Sequence, residues 1–312
     1  EVITTPYTFT ATISAILYVG AKPVLVDIEP NGFNIDIEGI EKAITPKTRA
    51  IIPVHFAGQA CNMDAISEIA RRYHLTVIED AAHAIGARYG SRKIGAVSNF
   101  TSFSFYATKN MTSAEGGMIT TNDDAAAEQM RSLCLHGLSR DAWKRYSATG
   151  SWFYEVLQLG YKYNLSDVHA SIGLRQFAKL ERFIASRQRI VDLYDKAFAG
   201  MPEIDIPPRD PNNRHAWHLY VIRLNTDRLL LNRAGIIKLL AEKGVGTSVH
   251  FIPVHLHPFY KDHFGWKHGD FPRAETTYER VISLPLYPQL EFMQGLNHVI
   301  DSVCEVIAQA RR

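Results

Sequence analysis

The chain has 312 residues, 46% of them hydrophobic and 21% charged, which is enough for one large domain, a smaller one and an ample core. Its formal net charge of +2 comes without any basic run, so the electrostatic footprint of a nucleic-acid binder is absent. No apolar stretch approaches the roughly 20 residues of a membrane-spanning helix, no signal-peptide pattern opens the chain, and three scattered cysteines (Cys61, Cys134, Cys304) suit a reducing cytoplasm rather than a disulfide framework.

Glu1 is followed at once by strand-like Val2 and Ile3, with no cap ahead, as if the chain began inside a domain. Residues 11–19 read as helix and 23–27 (PVLVD) as a short apolar strand ending in a carboxylate. Residues 35–44 read as helix and 50–54 as strand. Met63, Ile66, Ile69 and Ala70 recur at helical spacing within 63–73. A β-rich run at 75–78 ends on Glu79 and Asp80, and further strands are expected at 100–105 and 117–121. Strands alternating with helices predict a largely parallel sheet covered on both faces, and near-continuous apolar strands such as VLV and LTVI fit it.

Beyond Asn122 the character changes. Residues 123–135 read as helix. Residues 137–163 are long, aromatic and irregular; Trp143, Tyr146, Trp152, Phe153 and Tyr154 point to an ordered, packed loop. Residues 166–199 read as helix with a break near Ser186. Strands are expected at 216–224 and 246–249, and helices at 230–243, 273–281 and 294–310. This mixture predicts a second, α+β domain starting near residue 185.

The chemistry concentrates in SFSFYATKNMTSAEGG, residues 102–117, around Lys109. A lysine where a buried strand opens into a loop is poorly solvated, which lowers its pKa and makes its amine a nucleophile toward carbonyls. The competing reading is a strand-end lysine snorkelling to water. Asp80, in VIEDAAHAIG, sits at the carboxyl end of a strand, where open α/β sheets bind ligands. Strand alternation sends Glu79 and Asp80 to opposite sides, so only one need face a site. The competing reading of Asp80 is an N-cap for a helix over 81–85. Together, a Schiff-base lysine and an aspartate for a pyridinium nitrogen form the pairing that pyridoxal phosphate (PLP) requires. His83 could donate to an oxygen on the same ring; Ser102, Ser104 and Thr108 offer hydroxyls for a phosphate; and Phe9, in TPYTFTAT, could stack on the ring or simply pack in a core. His250, His255 and His257 lie near one another around Pro253 and Pro258, without a carboxylate or cysteine at ligand spacing, so no metal site is expected.

These segments, joined by AIIPVHFAGQACNMDAI, GYKYNLSDVHASIGLRQ and VGTSVHFIPVHLHPFY, resemble the DegT/DnrJ/EryC1/StrS family of PLP-dependent sugar-nucleotide aminotransferases essentially from end to end. The resemblance implies the α/β, fold-type-I aminotransferase architecture. A mostly parallel large domain (1–184) would be followed by a smaller C-terminal α+β domain (185–312), in a homodimer with active sites at the interface. It implies Lys109 as the Schiff-base lysine and proton shuttle, and Asp80 at the pyridine nitrogen. His83 falls at the ring hydroxyl, Phe9 on the ring face and Ser104 at the phosphate. Asn164 would reach the neighbouring subunit's cofactor phosphate, and His250 would stand near the substrate entrance. The implied reaction moves an amino group from glutamate or glutamine to a nucleotide-linked keto-sugar, with GYKYNLSDVHASIG closer to enzymes acting at C4 than at C3. Two other classes stand beside it. PLP-dependent sugar dehydratases replace the lysine, typically with histidine, so Lys109 argues against them; a non-catalytic homologue would have lost Lys109 or Asp80. Family members carry a further segment ahead of this start, with a Ser-Gly-Thr stretch at a helix N-terminus that grips the phosphate. The expectation for these 312 residues alone is therefore weak PLP retention and poor stability.

Overall fold

Short apolar runs alternate with amphipathic helices through the first 121 residues and assemble into one six-stranded sheet. The computed structural model describes residues 1–139, 153–292 and 295–312. Strands β1 (Val2–Thr4), β2 (Pro23–Leu25), β3 (Ala50–Ile51), β4 (Thr76–Asp80), β7 (Phe100–Ser104) and β8 (Gly117–Thr121) lie in the order β2-β1-β3-β4-β7-β8. All neighbours are parallel except β7 and β8, which pair antiparallel. A small hairpin, β5 (Arg88–Tyr89) with β6 (Arg92–Lys93), which the sequence reading did not anticipate, stands apart.

Helices α1 (Thr10–Tyr18), α2 (Ile37–Ala43) and α3 (Met63–Arg72) connect these strands. In α3, Met63, Ile66, Ile69 and Ala70 are the buried residues and Asn62 caps the start, its Oδ1 accepting from Ala65 N. Each such large side chain, fully buried, is worth about 1.5–3 kcal/mol. They pack with Ile3, Ile51, Val77, Ile40 and Val24. Leu25, one residue on from Val24, packs instead with Ile13 of α1, Val254 and Tyr260. Adjacent strand residues face opposite sides, so helical structure covers both faces of the sheet, as expected.

Helices α4 (Asp124–Cys134), α5 (Asp167–Phe177) and α6 (Leu180–Phe198) lead into a second, antiparallel sheet of β9 (Ile204–Asp205), β10 (Tyr220–Leu224) and β11 (Val281–Leu284). Helices α7 (Arg233–Glu242), α8 (Pro258–Phe264), α9 (Pro272–Arg280) and α10 (Gly295–Ala310) complete the chain. One core joins Tyr194, Phe198, Trp217, Tyr220, Ile282 and Val303. Another joins Tyr7, Phe33 and Phe56 of the first part to Val221, Ala274 and Val281 of the second.

Several expectations need correction. The helix does not break near Ser186; α6 runs through it, and the interruption lies between Phe177 and Leu180. The Ser186 hydroxyl points outward, 2.6 Å from Glu291 Oε2 and 2.8 Å from Pro288 O, so its one proton is shared away from its own helix rather than competing with it. Residues 246–249 are not a strand; only Ser248 bridges, to Ser283. No helix follows Asp80: residues 81–87 form two turns, closed by Ala84 N to Ala81 O and Ala87 N to Ala84 O. Trp143, Tyr146 and Trp152 lie outside the described residues. On either side of them the limbs 133–139 and 155–163 are cross-linked, with His136 N donating to Tyr161 O and Leu157 N to Gly137 O.

Candidate active site

Asp80 is the last residue of β4, and its Cα pairs with Ser102 on neighbouring β7. Lys109 sits on the turn just beyond β7, so the two meet at the carboxyl ends of adjacent parallel strands. The turn is held from both sides. Phe105 N donates to Gly116 O, Ser113 N and Thr112 Oγ1 donate to Phe105 O, and Lys109 N donates to Tyr106 O. Asn110 is anchored by Nδ2 to Ala216 O at 2.6 Å, and Met111 is buried against Phe105.

Burial lowers the Lys109 pKa below its usual value, opposed by the negative charge of Asp80. The amine is thus partly desolvated yet keeps a carboxylate within electrostatic reach. Both Asp80 oxygens are engaged: Oδ1 accepts from Ala82 N at 3.1 Å and Oδ2 from Thr12 Oγ1 at 2.7 Å. Glu79 faces the other way, as alternation requires. It is fully buried, accepts from Ser98 and Thr101, and lies 2.7 Å from His55 Nε2. His55 Nδ1 accepts from Cys61 N, so its proton sits on Nε2 and goes to Glu79. That pair is structural, and Asp80 is the carboxylate left for the site.

His83 is buried, with Nδ1 accepting from Ala57 N at 3.3 Å. The donor comes from a left-handed turn at Ala57 and Gly58, with φ of 56° and 101°. A Cβ on Gly58 would stand 3.0 Å from His83 O and Trp217 N, so the close approach needs glycine. Burial pushes the His83 pKa well below normal, and the positive charge of Lys109 lowers it further. The ring is neutral, and with Nδ1 accepting, its proton sits on Nε2 as a donor.

An aromatic wall completes the floor. Phe251 stacks on His83 with centroids 5.7 Å apart and meets Phe9 at 6.0 Å. Phe9 is 61% exposed, so it is not a core residue; its face is open to a flat ligand. His250 is fixed by Nδ1 to Ser283 Oγ at 2.8 Å and by its carbonyl, which accepts from Tyr7 OH at 2.7 Å. Burial and then the Lys109 charge bring its pKa down to about 4. Ser104 Oγ accepts from Tyr106 N at 3.4 Å, which leaves its proton to donate.

Lys109, Asp80, His83, Phe9, Ser104 and His250 therefore gather at one end of the large sheet. Asn164 does not join them: it precedes α5 on an exposed segment, its Oδ1 accepts from Lys162 Nζ, and among the described residues no contact links it to Lys109, Asp80 or His83. Several site residues escape the sequence reading. Thr12 lies inside the TPYTFTAT segment, but a threonine at the start of a helix has several ordinary uses, so residue type alone does not mark it. Phe251 and His218 carry no local signal; His218 stands 4.3 Å from the His83 ring and bonds Asn110 Oδ1 through Nδ1 only because the chain returns from the second sheet. A cleft of about 900 Å³ opens at the opposite, N-terminal ends of β4 and β7, among Arg71, His74, Thr76 and Asn99. It holds neither Lys109 nor Asp80, so size alone does not mark the site. Among the described residues, no three His, Cys, Asp or Glu side chains are grouped to hold a metal ion.

The donor set fits pyridoxal phosphate: a desolvated amine, a carboxylate held as an acceptor, a neutral ring N–H donor, an open aromatic face and a free hydroxyl. The model of the DegT/DnrJ/EryC1/StrS aminotransferase family matches residues 1–304. Uncharacterized protein MJ1066 of Methanocaldococcus jannaschii is 52% identical over 311 residues, covering 100% of this chain and 80% of that one. Spore coat polysaccharide biosynthesis protein SpsC of Bacillus subtilis is 46% identical, covering 99% and 80%. Among solved structures, the PMP-form of "Putative sugar aminotransferase Spr1654" from Streptococcus pneumoniae superposes with a TM-score of 0.91 at 34% identity, covering 99% of this chain and 82% of that one; its PLP-form gives 0.90 at 33%. On sequence and on structure, this chain belongs to the DegT/DnrJ/EryC1/StrS aminotransferase family.

Proposed function

We propose that the protein is a PLP-dependent aminotransferase. It would move an amino group from glutamate or glutamine to a nucleotide-linked keto-sugar, at C4 of the sugar. The observation that carries this reading is the desolvated Lys109 amine facing Asp80 across adjacent strand ends. The names of SpsC and Spr1654, which speak of polysaccharide biosynthesis and sugar amination, support the substrate class. C4 rests on the GYKYNLSDVHASIG segment alone.

Bound pyridoxal phosphate would supply an aldehyde that takes up amines and a pyridine ring that accepts electrons from the carbon beside them. The chain's own residues have separable tasks. Lys109 Nζ, when neutral, takes a proton from the substrate carbon and returns it. Asp80 holds a proton on the ring nitrogen. His83 Nε2–H donates to the ring oxygen, Phe9 packs on the ring face, and Ser104 donates to the phosphate. His250, neutral at physiological pH, faces the entering substrate without repelling a cation.

Asn164 belongs to this reading only through a second copy of the chain. The support is that α5 and the segment before it leave Tyr161, Tyr163, Val168, Leu174 and Phe177 exposed, an apolar surface suited to a homodimer with shared sites. The division into 1–184 and 185–312 is kept as a functional one, although residue 184 falls within α6. The cysteine pattern keeps the cytoplasm as the proposed location.

Borohydride reduction with pyridoxal phosphate is expected to leave the cofactor attached at Lys109, read by peptide mass spectrometry. Attachment at another lysine would sink the mechanism. Lys109→Ala should abolish amine transfer while leaving the unfolding temperature nearly unchanged; near-normal turnover would refute the assignment.

A further inference from the structure

Thr8 and Thr12 are buried, 2% and 5% exposed, and a hydroxyl in such a place costs free energy unless it is bonded. Thr12 Oγ1 donates to Asp80 Oδ2 at 2.7 Å. Its single proton is then spent, so in the 2.7 Å contact between the two hydroxyls Thr8 is the donor and Thr12 the acceptor. The direction of the chain is therefore set: Thr8 to Thr12 to Asp80.

The chain also crosses the entry to α1. Phe9, the N-cap, makes no side-chain cap bond, and the first turn holds no acidic residue. Thr12, in that turn, brings the negative charge of Asp80 to the helix N-terminus from another strand, a favourable placement. Thr8 and Thr12 flank Phe9 in sequence. One pair of hydrogen bonds thus links the residue proposed for the ring face to the carboxylate proposed for the ring nitrogen.

We infer that Thr8 and Thr12 are positioning residues: their hydroxyl relay orients Asp80 toward the ring nitrogen of the pyridine cofactor and holds Phe9 in register with it. This rests on the cofactor reading above. With Oδ1 tied to Ala82 N and Oδ2 to Thr12, the carboxylate cannot rotate. Losing the Thr12 bond frees it to turn away.

The test is a titration of the purified protein with pyridoxal phosphate, following the visible absorbance band and its pH midpoint, for Thr12→Val, Thr12→Ser and Thr8→Val. Lys109, Asp80, His83, His218 and His250 are the titratable groups around that band. Thr12→Val should weaken cofactor binding roughly tenfold and move the band's pH midpoint, in keeping with one lost hydrogen bond to a charged group. Thr12→Ser, which keeps the hydroxyl, should restore both to within about twofold, and Thr8→Val should show a smaller loss. A merely structural role would lower the unfolding temperature of the cofactor-free protein but leave the midpoint in place, and that result overturns the inference. Thr12→Ser behaving like Thr12→Val overturns it too. An unsubstituted protein that develops no band overturns the cofactor reading, and this inference with it.

Discussion

Asp80 and burial pull the Lys109 amine in opposite directions, and the balance decides how much of it is neutral near physiological pH. Asp80 raises the pKa by favouring the ammonium; burial lowers it by more. Removing the carboxylate leaves burial unopposed. Asp80→Asn should therefore shift the Lys109 pKa further down in the cofactor-free protein. The pH dependence of its acylation by an amine-specific reagent would show this; an unmoved or upward-shifted profile would break the link between the two residues. Much of this pair was legible from residue types. Alternation separated Asp80 from Glu79, and the structure shows the same separation, with Glu79 committed to His55, Ser98 and Thr101. The Thr12 hydroxyl was not legible, because a threonine in the first turn of a helix has several equally ordinary uses.

Helix α5 buries only Gly173 among its eleven residues, whereas α6 buries eight of nineteen. A helix with Val168, Ile172, Leu174 and Phe177 exposed has no single apolar stripe within this chain to account for them. In the proposed homodimer that surface is covered by a second copy. Leu174→Glu is expected to leave the monomer's unfolding temperature within a few degrees while shifting the protein toward monomer in sedimentation velocity. An unchanged oligomeric state would remove α5 from the interface. The α6 helix works inward instead. Its Arg187 donates through Nη1 to Trp217 O, His218 O and Leu286 O. Burial brings its pKa down to about 10, still far above neutrality, so the charge persists and holds the backbone beside His218 in place. The expected break near Ser186 failed because a serine whose hydroxyl bonds a distant chain segment does not disturb its own helix.

At the scale of the whole molecule, five described histidines are held below their ordinary pKa: His83, His218 and His255, which are buried, and the half-buried His215 and His250. His83 and His218 lie well below the ordinary value, His250 at about 4 and His215 at about 3, each chiefly through burial. Their folded pKa values are lower than the unfolded value of roughly 6.5, so below that pH the unfolded chain takes up protons that the folded chain refuses. Stability is fully present above about pH 6.5 and declines as pH falls toward the folded values. Thermal unfolding should show its midpoint dropping between about pH 6.5 and 5, a window in which ordinary carboxylates titrate little. A flat midpoint across that window would mean these histidines are solvated. Sequence alone was sufficient for the α/β class, for the six strands of the large sheet with the three helices between them, and for placing Lys109 and Asp80 near strand ends. Those depend on local periodicity and on residues at strand ends, which a linear chain records directly. It was not sufficient for Phe251, His218 or the hydroxyl chain to Asp80. Such contacts join residues far apart along the chain: the packing of α1 on the large sheet brings Thr12 to Asp80, and the later segments beside the second sheet bring His218 to Asn110 and Phe251 to His83.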